Sequence, residues 1–176
     1  MDNLVSSSRT WEVLYAAVMA VACAISYAVI TQLLGHFVDE HNRMLGGMWA
    51  VVATVFVFRE SRASTVAAGV ARFGATCVSF ALCLIYLLLF PVTGSGLAIV
   101  IGLGTMTMMM IRRQNDIVTT GITTTVVLVA AAMSQEPAWQ QPILRLLDTV
   151  VGITVAVACK WCASYAFYHA VREPVR

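Results

Sequence analysis

The amino-acid sequence predicts an all-α integral membrane bundle of six transmembrane helices, and three observations lead there. Hydrophobic residues make up 60% of the chain and charged residues 11%, with a mean hydropathy of +0.83, whereas a soluble domain carries roughly 25% charged residues. So few charges cannot coat a water-exposed surface. Residues 13–30, 80–111 and 117–133 contain no charged side chain, and about 18 or more such residues suffice for a helix to cross the hydrocarbon. The charges that do occur are gathered mainly between these runs. Backbone groups in lipid must bond internally, so each run is read as a helix. A β-barrel would instead show alternating segments of about ten residues.

The first helix is expected over residues 11–34. The preceding residues 1–10 are polar and carry one basic residue, Arg9. The apolar run is longer than the 7–15 residues usual for a signal peptide core and further spans follow it, so it is read as a retained helix rather than a leader. Gly35, His36 and the cluster Asp39, Glu40, His41, Asn42, Arg43 close it. A second helix over 44–58 ends at Arg59, Glu60, Ser61 and Arg62. It would span only about 22 Å, short for a bilayer core about 30 Å thick. It must therefore extend into its polar flanks or sit shielded in the bundle.

The third helix, over 64–90, begins in a weakly polar, Ala- and Gly-rich segment holding Arg72 and is long enough to cross with tilt. Pro91, Thr93, Gly94 and Ser95 then form a tight turn. The fourth helix, 96–111, stops at Arg112, Arg113, Gln114, Asn115 and Asp116. The fifth, 117–133, carries threonines at 119, 120, 123, 124 and 125, whose hydroxyls can bond back to the preceding turn or across to a neighbour. A polar loop over 134–142 ends at Pro142, a residue suited to the first turn of the sixth helix, 143–169. The whole of 1–176 is thus expected to be one transmembrane domain.

Basic residues set the orientation. With both termini in the cytoplasm, Arg9, Arg59, Arg62, Arg72, Arg112, Arg113, Arg172 and Arg176 lie on the inner side, and Arg43 and Arg145 on the outer. That bias favours an even number of crossings and a multi-pass protein of the cytoplasmic (inner) membrane.

Within residues 48–76 the chain reads MWAVVATVFVFRESRASTVAAGVARFGAT. This resembles the start of the membrane domain of the aromatic acid exporter and fusaric acid resistance family, to which the plant aluminium-activated malate transporters are related. There, a Trp-Ala-Val start leads through a β-branched run to a small-residue segment ending in Arg-x-x-Gly-Thr. Trp49, Thr65, Gly69, Arg72 and Thr76 match its spacing. Arg59 stands where the malate transporters usually have Glu, and Ala75 where the family usually has Gly. In the second half, Gly121-Ile-Thr-Thr-Thr and Arg145-Leu-Leu-Asp148-Thr149-Val-Val-Gly152 resemble the closing signature Arg-x-x-Asp-Thr-x-x-Gly. The resemblance implies the fold and transport of an organic or aromatic carboxylate anion, and leaves the substrate open because family members move different anions.

Arg72-Phe-Gly-Ala-Thr76 and Arg145-Leu-Leu-Asp148-Thr149 also echo each other. Each opens the last helix of a three-helix set, and an odd number of helices per set inverts the second copy, as in many secondary transporters. Chance in an apolar chain is the rival explanation for two shared residues.

Arg72 and Arg145 are the principal candidates for a substrate pathway. Each lies among small or apolar residues, where a charge is costly unless paired, hydrated or snorkelled. One reading is that they draw an anion into a central path with their planar guanidinium forks. The other is snorkelling, or an ion pair with Asp148 or Glu60. Asp148, three residues after Arg145, shares its helix side and forms either a structural or a gating pair. Lys160 sits about 22 Å further along the same helix and either lines an inner vestibule or snorkels. Thr119, Thr120, Thr123 and Thr124 share a face that suits a polar path. Gly69, Thr76, Thr149 and Gly152 are expected to serve close helix packing.

No metal site or cofactor is expected. Cys23, Cys77, Cys83, Cys159 and Cys162 all fall inside proposed helices, and Cys159-Lys-Trp-Cys162 has no partner motif. His36, His41 and His169 are scattered without ligand spacing, though His41 beside Asp39 and Glu40 could sense external pH. The chain lacks a phosphate-binding loop after a strand and a clustered basic surface, so neither ATP hydrolysis nor nucleic acid binding is expected. No acid/base or nucleophile cluster suggests an enzyme. The leading expectation is a transporter or channel for organic or aromatic carboxylate anions, acting as an exporter, in contact with the lipid bilayer and assembled as a homodimer or with another membrane subunit. The alternative is a scaffold or anchoring subunit that transports nothing.

Overall fold

The computed structural model describes residues 2–35, 38–59, 61–134 and 137–172, with side chains from 12 to 165. His36 and Glu60 lie outside the described residues, as do Arg176 and the side chains of Arg9, His169 and Arg172. Among the described residues there are six α-helices and one short 3-10 turn: α1 Asp2–Leu34, α2 Glu40–Val57, α3 Arg62–Leu89, α4 Gly94–Met110, the turn Gln114–Asp116, α5 Ile117–Met133 and α6 Gln140–Arg172. Four stretches are long and apolar enough to cross a membrane, namely Glu12–Leu34, Arg62–Leu89, Gln114–Met133 and Gln140–Tyr165, and Gly94–Met110 is apolar but shorter. The protein is therefore an all-helical, multi-pass membrane protein.

Local chemistry explains where the helices start and stop. α2 begins four residues before the expected boundary because Asp39 caps it, its carboxylate accepting from the backbone N–H of Asn42 at 3.4 Å, and Glu40 favours the positive helix end. The polar cluster expected as loop is thus the first turn of α2. That turn, Glu40-His41-Asn42-Arg43, keeps α2 out of the strongly apolar set although its length reaches about 27 Å. Ser61 and Ser64 form a reciprocal capping box at the start of α3. Thr93 caps α4 by accepting from Gly96 N–H at 3.1 Å. At the other end of α4, Arg112 adopts φ 57°, and the N–H groups of Arg112 and Arg113 donate to Met109 and Met108 carbonyls at 3.1 and 2.9 Å. This is a left-handed helix stop carried by an arginine where glycine is usual. α6 starts before Pro142, which is tolerated there because first-turn N–H groups have no intrahelical acceptor.

The helices pack as two triplets, and neither coincides with a half of the sequence. α1, α2 and α6 enclose two apolar clusters, one of Ala22, Val57, Phe58 and Ala156, the other of Ile30, Leu34, Ala50 and Leu144. α3, α4 and α5 enclose a third, of Cys83, Val100, Val127 and Leu128. The triplets meet chiefly along α3 and α6, while α2 touches α3 and α5 touches α6 more lightly. The third helix of each half is therefore exchanged into the triplet of the other half.

Small residues permit the closest approaches. A Cβ on Gly152 of α6 would collide with the Ala50 carbonyl of α2 and lie 2.8 Å from Ala53 Cβ. A Cβ on Gly47 of α2 would come 2.7 Å from the Tyr27 ring of α1. Large apolar side chains such as Val13, Leu89 and Met110 are exposed on the outside, as expected where lipid rather than water is the solvent.

Candidate functional site

The interior polar groups gather along the α2–α6 seam. At its start, Asn42 Nδ2 donates to Asp39 Oδ1 at 2.6 Å, and Gln141 Nε2 donates to Asn42 Oδ1 at 3.0 Å. Both amides are buried, so α2 and α6 begin their contact through a side-chain hydrogen bond rather than an apolar one. One turn further, Arg145 and Asp148 are each 0% exposed, with Nη1 and Oδ2 2.9 Å apart. The contact is ionic without hydrogen-bond alignment, and the remaining guanidinium nitrogens and carboxylate oxygens have no hydrogen-bond partner among the described residues. Gly46 gives the carboxylate its room, since a Cβ there would lie 2.9 Å from Asp148 Oδ1.

Trp49 occupies the next position down the seam. Its Nε1–H donates to Thr149 Oγ1 at 3.2 Å, and the Thr149 hydroxyl donates back to the Arg145 carbonyl at 2.8 Å. The second buried arginine lies on α3. Arg72 is buried, its guanidinium carbon 5.3 Å from the Trp49 ring centroid and 4.8 Å from that of Phe56. None of its three nitrogens has a hydrogen-bond partner among the described residues. Aromatic faces offset part of a cation's desolvation but are weak acceptors for N–H, so among the described residues this fork has no conventional acceptor. Trp49 thus stands between the two arginines, ring toward one and N–H toward the helix of the other.

Thr54 and Ser26 continue the seam inward: their hydroxyls lie 2.6 Å apart, and Thr54 also bonds the Gly152 carbonyl at 3.1 Å. A separate polar contact joins α3 and α5, where Ser79 Oγ donates to the Thr120 carbonyl at 3.1 Å.

The structure brings Arg145, Asp148, Thr149 and Gly152 together on one seam and sets Arg72 beside it through Trp49. Thr76 is buried and bonds the Arg72 carbonyl at 2.9 Å. Gly69 lies where a Cβ would meet Ile153 of α6 at 3.0 Å. The α5 threonines form a second locality: Thr120, Thr123 and Thr124 are buried, Thr120 with its methyl toward Gly104 of α4, Thr119 is half-buried, and Thr123 bonds the Thr119 carbonyl at 2.8 Å. Lys160 is apart from both, its Nζ 5.2 Å from the Tyr15 ring and 5.1 Å from the Phe58 ring. Asn42, Gln141, Phe56 and the packing role of Gly46 were not anticipated as site features. For Asn42 and Gly46 the one local signal is spacing, since Asn42, Gly46, Trp49 and Ala53 recur at four, three and four residues and so share a helix face.

Fold and site together define a multi-pass membrane protein with a cationic interior: among the described residues there are two buried arginines and one buried acid, which contacts Arg145. A family model described as fusaric acid resistance protein-like matches residues 23–159, and the chain belongs to that family. Comparison with curated proteins and with solved structures returns no match.

Proposed function

We propose that this protein is a transporter or channel that moves organic or aromatic carboxylate anions outward across the cytoplasmic membrane. The observation that carries the reading is Arg72, a buried guanidinium with aromatic rings of Trp49 and Phe56 against it and, among the described residues, no hydrogen-bond partner for any of its nitrogens. Together with Arg145 it leaves the interior one positive charge in excess of Asp148, which lowers the barrier for an anion and raises it for a cation. In this reading the protein crosses six times with both termini inside, α2 and α4 completing the count under cover of their neighbours. It is not an enzyme, and it works as a homodimer or with another membrane subunit. The exchange of α3 and α6 between the triplets supports an inverted repeat, because each third helix stands to the opposite pair as its counterpart does.

The test is flux of benzoate, malate and chloride into liposomes holding the purified protein. Replacing Arg72 and Arg145 together by Gln is expected to cut anion flux by at least tenfold, and unchanged flux would remove their assigned role. The Arg145–Asp148 contact favours a second reading, a static scaffold that stores its charge in a pair. Absence of flux for all three anions supports the scaffold. A monomeric mass in detergent that preserves transport would exclude the dimer.

A further inference from the structure

We infer that an anion bound at Arg145 brings one proton onto Asp148, so that this part of the site takes its ligand as a net neutral acid. The inference rests on the reading of Arg145 as an anion-binding group.

Asp148 is fully buried and its ionic neighbour is Arg145, one turn earlier on the same helix. Among the described residues no hydrogen bond holds either carboxylate oxygen, and the contact with Arg145 is what favours the ionised carboxylate away from water. Among the described residues, the other charged and titratable groups around it are occupied or remote. On the α2 side, Asp39 is engaged by Asn42, Arg43 pairs with Glu40 at 3.5 Å, and Glu40 and His41 are exposed. From α1, Tyr27 packs against Gly47, one residue past the glycine facing Asp148. From α3, Arg72 lies across the Trp49 ring. α5 contains no titratable residue, and on α6 Lys160 lies between Tyr15 and Phe58, about 18 Å along the helix.

An entering carboxylate has two ways to engage Arg145. It either displaces Asp148 from Nη1 or takes the guanidinium nitrogens that have no hydrogen bond, beside it. The first strands a buried carboxylate without its cation. The second places two carboxylates on one guanidinium in a dry interior, and like charges in that setting do not both remain ionised. Either way an O–H bond forms on Asp148, its proton drawn from solvent or handed over by the acid itself, and the charge in the seam is unchanged by loading. Anion binding and proton binding are therefore positively linked.

The experiment uses the full chain in weakly buffered detergent with a pH-indicator dye, titrated with benzoate and, separately, with benzenesulfonate, which does not protonate in the working range. The expected result for benzenesulfonate is uptake of one proton per anion bound, with affinity tightening by up to tenfold for each unit the pH falls while Asp148 is ionised in the empty protein. Binding with no proton uptake and pH-independent affinity overturns the inference and leaves the anion reading standing. No binding of either probe overturns both. D148N is expected to bind benzenesulfonate without proton uptake and without pH dependence, and uptake that persists in folded D148N assigns the proton elsewhere and overturns the inference. Should D148N not fold, the proton count on the unaltered chain decides.

Discussion

Replacing Gly152 by Ala tests whether the α2–α6 seam is as close as its geometry indicates. The added Cβ would collide with the Ala50 carbonyl and stand 2.8 Å from Ala53 Cβ and 3.2 Å from Thr54 N. Carbon contacts settle at about 3.5–4.0 Å, so the helices must part by roughly 1 Å at this point. The obstructing atoms include helix backbone, which has no rotamer to change. Parting the helices breaks the bond from Thr54 to the Gly152 carbonyl, 3.1 Å, and lengthens that from Trp49 to Thr149, already 3.2 Å. Overpacking costs about 1–3 kcal/mol and the weakened hydrogen bonds about 1 kcal/mol, for a total of about 2–4 kcal/mol. Against a native stability of about 5–15 kcal/mol, that is enough to shift an SDS-unfolding midpoint in mixed micelles well outside error. Gly102→Ala is the control: nothing lies within 4 Å of its Cβ position, so the helix propensity of Ala leaves stability within about 1 kcal/mol of the original, on the favourable side. Equal midpoints for G152A and the unaltered protein, or a loss in G102A as large as in G152A, would refute the argument.

Two further outcomes follow from the seam. Trp49→Phe keeps an aromatic face for Arg72 and removes the N–H to Thr149, so it should cost about 0.5–1.5 kcal/mol in the same unfolding assay, while Trp49→Ala should cost about 3–5 kcal/mol. Arg145→Gln and Asp148→Asn should each destabilise by about 3–5 kcal/mol because each strands the opposite charge, and the double variant should recover most of that loss; additive single effects in the double-mutant cycle would show that the pair is not coupled.

The charge-free runs made α1, α5 and the second half of α3 legible as membrane helices, since lipid leaves the backbone no other way to satisfy its hydrogen bonds. Arg145 and Asp148 were legible as a pair because three residues on a helix set their direction. The start of α2 was not, because Asp39, Glu40, Asn42 and Arg43 have loop-like composition and only the cap at Asp39 reveals the helix. The partnership of Asn42 with Gln141 spans 99 residues and has no local trace in either segment. Arg72 stood out as a charge in an apolar segment, but its shelf of Trp49 and Phe56 comes from another helix. Lys160 was placed near the inner end of α6 by residue rise alone, while its contacts with Tyr15 on α1 and Phe58 at the end of α2 depend on three helices meeting.

The exchange of α3 and α6 also dictates an order of events as the chain is made. α1 and α2 reach the bilayer with Asn42, Trp49 and Thr54 facing the place that α6 will fill, and α6 begins only at Gln140. Throughout the synthesis of α3, α4 and α5, α2 holds its polar stripe against lipid, water or the insertion machinery. The α3–α4–α5 triplet can close as soon as α5 emerges, whereas the α1–α2 pair must wait. Assembly therefore finishes at its oldest segment, and a chain halted before α6 leaves the membrane with one closed core and one unfinished groove.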